Sequence, residues 1–544
     1  MNPTNNIVPE VEGEISPILS KGEPTAFAQL TKHAGIVALC TAISRFAGLA
    51  RDMVTAHLFG ATAVMDAFNI AFTIPNTLRS FVAEGALTVA FIPVYTEVRS
   101  QQGLEAAKQF YRSVLGILLV VLTGLVLLGI LGASGLVYAF ASGFAERPEQ
   151  MALATQLTRW MFAYVFFISL VALSMGVLNA HKHFMTPAAS PILLNLAMIA
   201  CAWGLHSYFA QPVYALAAGV ISGGILQLLA QAPALAKRGL LLRPSFQWNS
   251  APVRKLMRVL LPSVFGVAIY QINLMVLRQL GSYLPPGQIT CYSTADRLMQ
   301  VAFGIFAISI ATATLPAMSE HTASGKIDRQ KLVDTWHFST KLTNFITFPA
   351  AFGLAIIGLP IVSVLFFHGA YDWHSTRLTA LATMAFAPGL ISVAFSRTTV
   401  QAFYALKDMK TPVIIAGVTL VLNFCLGLSL MRYEVVGLAA SLTLSSFVQT
   451  MLLLVCLRFK IGKLGVRSML GSMARQLICA ATMGLVAYEI CSFGEWTRGP
   501  TLANVGLMGG AVFAGILVYG ILSLVMQSEE ARQLKGLITK RIKH

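Results

Sequence analysis

The chain has 544 residues, 56% of them hydrophobic and only 11% charged, which is less than half the charge of a soluble globular domain. That much apolar surface, gathered in long runs, cannot be packed into one soluble core, so a water-soluble enzyme or binding module is excluded and a phospholipid bilayer is the expected surroundings. The net charge of +17 would suggest nucleic acid in a soluble protein, but here it follows from the Lys and Arg enrichment of cytoplasmic loops, and no nucleic-acid partner is expected.

In chain order, residues 1–34 are polar and rich in Pro, Glu and Asn. They lack the basic start and cleavage site of a signal peptide and are expected to form a disordered cytoplasmic tail. Apolar runs follow, each near the ~20 residues that cross the hydrocarbon layer. They cover 36–59, 67–95, 113–138, 155–179, 187–206, 212–233, 257–280, 291–318, 342–367, 378–405, 411–430, 434–457, 473–493 and 502–526. With the N-terminus inside, the inner loops collect most of the basic residues. Lys237, Arg238, Arg243, Arg254 and Lys255 lie between spans 6 and 7, and Lys326, Arg329, Lys331 and Lys341 between spans 8 and 9. The outer loops carry only Arg147, Arg377, Arg432 and Arg498. A missed span would invert this asymmetry from that point onward. The expectation is therefore an all-α polytopic membrane protein of 14 transmembrane helices with both ends inside.

Two stretches match across the halves. His181 to Pro187 and Leu406 to Pro412 share Lys, Thr and Pro at an offset of 225, and Pro93 to Glu97 echoes Pro316 to Glu320 at 223. The reading is an N-lobe at 35–233 (spans 1–6), a cytoplasmic linker at 234–256, a C-lobe at 257–457 (spans 7–12), two further helices at 458–526 and a basic tail at 527–544. Two bundles facing each other across a central cavity are a transporter layout. An even number of spans per repeat gives both lobes one orientation, with the symmetry axis along the membrane normal.

Charges lie inside several spans. Span 1 holds Arg45, Arg51 and Asp52; span 2 opens near Asp66 and holds Arg79 and Glu84. Arg278 ends span 7, span 8 holds Asp296, Arg297 and Gln300, and span 10 holds Arg397. A charge at mid-bilayer costs roughly 2.5–3.5 kcal/mol, so it is paired or faces a wet cavity. Mutual neutralisation would not need a surplus of arginines. A cavity for an anionic guest would use one, because the guanidinium fork matches phosphate. Pro75, Pro93 and Gly85 in span 2, Gly304 and Pro316 in span 8, and Pro388 and Gly389 in span 10 mark either hinges or passive kinks. The seven cysteines are scattered and the ten histidines have no ligand spacing, so neither a metal site nor a disulfide framework is expected. No nucleotide-binding or catalytic motif is present. The expectation is a transporter without cofactor, driven by the membrane potential or an ion gradient.

The block Ser44-Arg45-Phe46-Ala47-Gly48-Leu49-Ala50-Arg51-Asp52, then Phe59-Gly60, Asp66-Ala67-Phe68, Pro75-Asn76, Leu78-Arg79, Ala83-Glu84-Gly85-Ala86 and Phe91-Ile92-Pro93, with Ala295-Asp296-Arg297-Leu298 in span 8, resembles the MurJ (MviN) lipid II flippase family. That family lies within the multidrug/oligosaccharidyl-lipid/polysaccharide exporter superfamily. The likeness covers about residues 30 to 525. It implies two six-helix lobes plus two C-terminal helices that form a groove for the lipid tail, in a bacterial inner membrane. The implied substrate is lipid II, an undecaprenyl-diphosphate-linked peptidoglycan precursor, carried to the outer leaflet by alternating access. Arg45, Arg51, Arg79 and Arg297 fall on the family's substrate-binding arginines; Asp52, Asp66, Glu84 and Asp296 fall on acidic or gating positions; Arg278, Gln300 and Arg397 are secondary candidates. The resemblance further implies action as a monomer, with cell-wall synthesis or division proteins as candidate partners. Two departures stand out: Gln300 occupies a position where many relatives have Glu, and spans 7 and 11 lack the aspartates of the sodium site found in some relatives. The rival readings are a drug or other lipid-linked oligosaccharide exporter of the same superfamily, which predicts acidic cavity walls, and a non-transporting membrane scaffold, which predicts paired charges and no cavity.

Overall fold

The computed structural model describes residues 24–80, 88–304, 307–322, 328–528 and 530–532, which form seventeen α-helices and no β-strand. The first half comprises α1 (Pro24–Phe59), α2 (Ala63–Arg79), α3 (Thr88–Leu131), α4 (Ala133–Phe140), α5 (Pro148–Ala180), α6 (Met185–Leu205) and α7 (Tyr214–Ala236). The second comprises α8 (Ala251–Gly281), α9 (Gln288–Gly304), α10 (Ala307–Glu320), α11 (Arg329–Ile356), α12 (Gly358–Phe366), α13 (Trp373–Ala405), α14 (Lys410–Leu430) and α15 (Glu434–Ile461). Last come α16 (Val466–Ser492) and α17 (Leu502–Val525).

Every predicted span falls on one helix or on two consecutive ones. Gly103, at φ 88° and ψ 177°, breaks α3 between the arm that completes span 2 and the one that begins span 3. Span 9 is bent by 74° between α11 and α12. Polar side chains start the helices at several turns: Thr62 accepts from Met65 N at 3.3 Å and Asp372 from Ser375 N at 2.8 Å, each satisfying a donor that lacks an intrahelical partner. Among the described residues eight stretches are long and apolar enough to cross a bilayer, and a ninth if the bent pair counts as one. One of the eight, Lys410–Ile461, turns back at 431–433 so that α14 and α15 pack on each other. The spans that fall short over their described residues are 1, 2, 7 and 8, the spans of Arg51, Asp66, Arg278 and Arg297.

The first half packs around Phe68, Ile74, Phe91, Tyr95, Phe162 and Tyr164, the second around Trp336, Phe403 and Leu453. The helices α16 and α17 lie outside this second bundle, against α11, through Phe348, Cys479, Met483 and Tyr519. Their other faces leave Leu477, Leu485, Phe513 and Ile516 exposed, surface that water would penalise and lipid tails accept.

The repeat is visible in the backbone. The helices α6 and α14 are each 21 residues long and start 225 apart. In front of them Lys182 and Lys407 both take φ 58°. His183 N donates to Leu178 O and Asp408 N to Phe403 O, both at 2.9 Å. This is the left-handed helix end that usually takes glycine, built twice with lysine. The following residue differs: His183 pairs with Thr186 Oγ1 at 2.7 Å, while Asp408 accepts from Thr411 Oγ1 at 2.5 Å and from Lys460 Nζ. Burial raises the Asp408 carboxyl pKa, but these donors outweigh it and bring it down to about 2. A depressed carboxyl pKa stabilises the fold fully above the unfolded value of ~3.9, and that contribution is lost as pH falls through about 2. Asp408→Asn is therefore expected to lower the unfolding temperature in detergent at pH 7, with the gap from wild type closing between about pH 4 and 2. An equal gap at both pH values would contradict this.

Candidate functional site

The helices α1, α2, α8 and α9 meet around a cavity of ≈ 270 Å³. Among the described residues its charged lining is Arg51, Asp52, Arg278, Asp296 and Arg297, three arginines against two carboxylates, with Gln300 beside them. Asp52 lies between two guanidinium groups. Arg51 Nη2 donates to Asp52 Oδ1 at 2.6 Å, and Arg51 Nε to the same atom at 3.0 Å. Arg297 Nε stands 3.0 Å from Asp52 Oδ2, yet Oδ2 receives no hydrogen bond, so that N–H is close but not aimed at it. The Arg297 side chain is 41% exposed, against 10% for Arg51. Arg51 is thus spent on the protein, and Arg297 presents its planar fork to the cavity.

Other side chains hold this arrangement. Arg51 Nη1 donates to Asn195 Oδ1 of α6 at 3.2 Å, and Asn195 Nδ2 donates to Ser44 O at 3.3 Å. Arg278 Nη1 donates to Ser293 Oγ at 2.5 Å, and its guanidinium lies 5.9 Å from the centre of the Tyr292 ring. Gln300 Nε2 donates to Asp296 Oδ2 at 2.7 Å, and its backbone O accepts from Arg45 Nη1 at 3.0 Å. Arg45 therefore braces the cavity wall from α1.

At one end of the cavity the two halves are bolted together. Asp66, only 1% exposed, accepts from Gly287 N at 2.6 Å, Thr290 N at 2.8 Å and Thr290 Oγ1 at 2.7 Å. These are donors at the start of α9, where backbone N–H groups lack intrahelical partners and favour an anion. Gly143 N donates to Ser282 Oγ at 2.9 Å, Arg147 Nη2 to Leu284 O at 2.8 Å and Ala370 N to His57 O at 2.8 Å. His368 Nε2 lies 3.0 Å from Leu365 O, and the Nδ1 atoms of His57 and His368 lie within hydrogen-bond distance of each other at 3.2 Å. Glycines permit this approach: a Cβ on Gly60 (φ +62°) would lie 2.3 Å from Ala370 O, and one on Gly287 (φ +91°) 2.3 Å from Ala61 O. Gly60→Ala is expected to destabilise the protein by about 1–3 kcal/mol through overpacking, seen as a lower unfolding temperature. An unchanged transition would mean the halves are not locked here.

Of the residues singled out in the sequence, Arg51, Asp52, Arg278, Asp296, Arg297 and Gln300 line the cavity. Arg45 touches its wall, and Asp66 sits in the bolted end rather than among the lining residues. Arg79 and Arg397 are not among the described lining residues, and each has an interaction of its own. Glu84 lies outside the described residues. Spans 7 and 11 carry no Asp or Glu; there Asn423 Nδ2 donates to Asn273 Oδ1 at 2.9 Å, and Ser441 Oγ donates to Asn423 Oδ1 at 3.2 Å. Sequence reasoning missed Asn195, which holds Arg51 from α6, and the α2 side chains Asn69, Thr73, Asn76 and Thr77, which line the cavity. The signal for the latter was a polar stripe at helical spacing in a span of low hydrophobicity.

A sequence profile for the family described as lipid II flippase MurJ matches residues 55–506. The chain is 32% identical over 511 residues to the probable lipid II flippase MurJ of Vibrio cholerae serotype O1, covering 91% of this chain and 97% of that protein. It is 34% identical over 496 residues to the lipid II flippase MurJ of Burkholderia cenocepacia, covering 89% and 95%. Among solved structures, a lipid II flippase MurJ in an inward closed conformation superposes with a TM-score of 0.74 at 24% identity, covering 90% of this chain and 98% of that one. An inward-facing multidrug MATE transporter superposes with a TM-score of 0.63 at 15% identity, covering 79% and 98%.

Proposed function

The chain belongs to the lipid II flippase MurJ family, a family of membrane transporters rather than enzymes, and from that premise we propose that it carries lipid II from the cytoplasmic to the outer leaflet. The observation that carries this reading is the excess of guanidinium over carboxylate among the described residues around one cavity, with Arg297 exposed to it. In a low-dielectric chamber, diphosphate oxygens would complete the fork that Asp52 leaves unfilled.

The bolted end carries the loops after spans 1, 3, 7 and 9, which the distribution of Lys and Arg assigns to the outside. This conformation is then shut toward the outer face, and alternating access requires that Asp66, His57 and Gly287 separate from their partners as the other end closes. The exposed apolar faces of α16 and α17 suit a polyprenyl tail left in the bilayer while the headgroup crosses. With neutral amides in spans 7 and 11, we favour the membrane potential acting on the charged headgroup as the energy source, with an ion gradient as the alternative.

Reconstitution tests this directly. Proteoliposomes with fluorescent lipid II on one leaflet, with and without an imposed potential, should show protein-dependent translocation that the potential accelerates. Translocation equal to that of protein-free vesicles would overturn the assignment.

A further inference from the structure

The helix faces that line the cavity differ in charge: α2 presents uncharged polar side chains, while α1, α8 and α9 carry the arginines and carboxylates. Asn69, Thr73, Asn76 and Thr77 of α2, with Ser80 capping its C-terminal end, lie on one helix face and all line the cavity. A hydroxyl has one proton and two lone pairs. Thr73 gives its proton to Asn69 O at 2.7 Å, and Ser80 to Asn76 O at 3.1 Å. Across the cavity, Thr55 gives its proton to Asp52 O at 3.0 Å and Thr294 to Thr290 O at 2.9 Å. All four hydroxyls are left with lone pairs only. Asn76 has used one amide N–H on Phe72 O at 3.1 Å, and Asn69 one on Thr290 Oγ1 at 3.0 Å. Facing this acceptor-rich stripe is the open guanidinium of Arg297, with the positive charges of Arg51 and Arg278 beside it.

A diphosphate has only acceptors and gains nothing from hydroxyls that have no proton to offer. An ammonium would suit the lone pairs but would be repelled by the three guanidinium groups. The group that fits is neutral, rich in O–H and N–H donors, and attached to an anion. We propose that the α2 stripe, centred on Thr73, Asn76 and Ser80, is a subsite for the glycosyl part of the headgroup, an N-acetylated sugar whose hydroxyl and amide protons it accepts while the guanidinium groups hold the diphosphate. This rests on the lipid-diphosphate reading above. It assigns headgroup selectivity to α2 and general anion affinity to α1, α8 and α9.

The test uses the full chain in nanodiscs and two probes, a short polyprenyl diphosphate and the same lipid bearing an N-acetylated disaccharide. Combining Thr73→Val, Asn76→Ala and Ser80→Ala should weaken the glycosylated probe about tenfold or more and leave the bare diphosphate within about twofold. Arg297→Gln should weaken both. Thr73→Val alone, which keeps the side-chain shape, should move the ratio of the two affinities in the same direction and serves if the triple variant folds poorly. Equal weakening of both probes, or unchanged affinity for both, overturns the subsite while leaving the diphosphate reading intact. If the wild type binds neither probe, the underlying reading fails and takes the subsite with it.

Discussion

Replacing Arg297 with Gln is expected to reduce binding and translocation of a diphosphate lipid by about 30-fold or more, the consequence of losing ~2–5 kcal/mol when one partner of a desolvated, hydrogen-bonded charge pair is truncated. Arg51 and Asp52 satisfy each other through two N–H···O contacts to Oδ1 at 3.0 and 2.6 Å. Removing Arg297 leaves that pair intact but takes away the guanidinium most open to the cavity, and the charged lining falls from three arginines against two acids to an even balance. Arg297→Lys should recover part of the function, since it restores charge without the planar fork. The measurement is lipid II affinity and transport rate in proteoliposomes, with membrane insertion checked separately. Near-normal transport in Arg297→Gln would show that the diphosphate is held elsewhere.

The second large effect is expected at the bolted end. Asp66→Ala removes the one acceptor shared by Gly287 N, Thr290 N and Thr290 Oγ1. Each donor left unpaired away from water costs on the order of 1–3 kcal/mol, so the closed arrangement should lose at least tenfold in population. Cys291 provides a native reporter. It follows Thr290 directly, is 1% exposed and has its thiol 3.7 Å from Ser375 O. With the other cysteines replaced, a membrane-impermeant thiol reagent should label Cys291 at least about tenfold faster in Asp66→Ala than in the parent. Asp66→Asn, which keeps an acceptor oxygen, should fall between. Equal labelling in all three would mean that Asp66 does not hold this end closed.

The helical spans were legible because hydrophobicity over about twenty residues is a local property, and the lysine-bearing turns at 182 and 407 because the same short segment occurs twice at one offset. The arginines were legible as types: a guanidinium in an apolar span must be accounted for wherever it points. Their division of labour was not. Arg51 is tied to Asp52 and Asn195, Arg297 is left open, and Arg45 is turned onto the Gln300 carbonyl. Nothing in span 1 alone distinguishes these fates, since Asn195 lies 144 residues from Arg51 and Gln300 lies 255 from Arg45.

By itself the sequence determined that this protein lives in a bilayer, that one short segment occurs twice at an offset of 225, and that cationic groups lie inside apolar spans. The first and last of these follow from transfer free energies that residues carry wherever they are placed. Only the tertiary structure decided which cations share a chamber, which face of α2 looks onto them, and that Asp66 closes one end instead of lining the space. Those outcomes depend on helices more than a hundred residues apart coming within hydrogen-bond distance, and a hydrogen bond is short and directional, so no property of one segment can specify its partner.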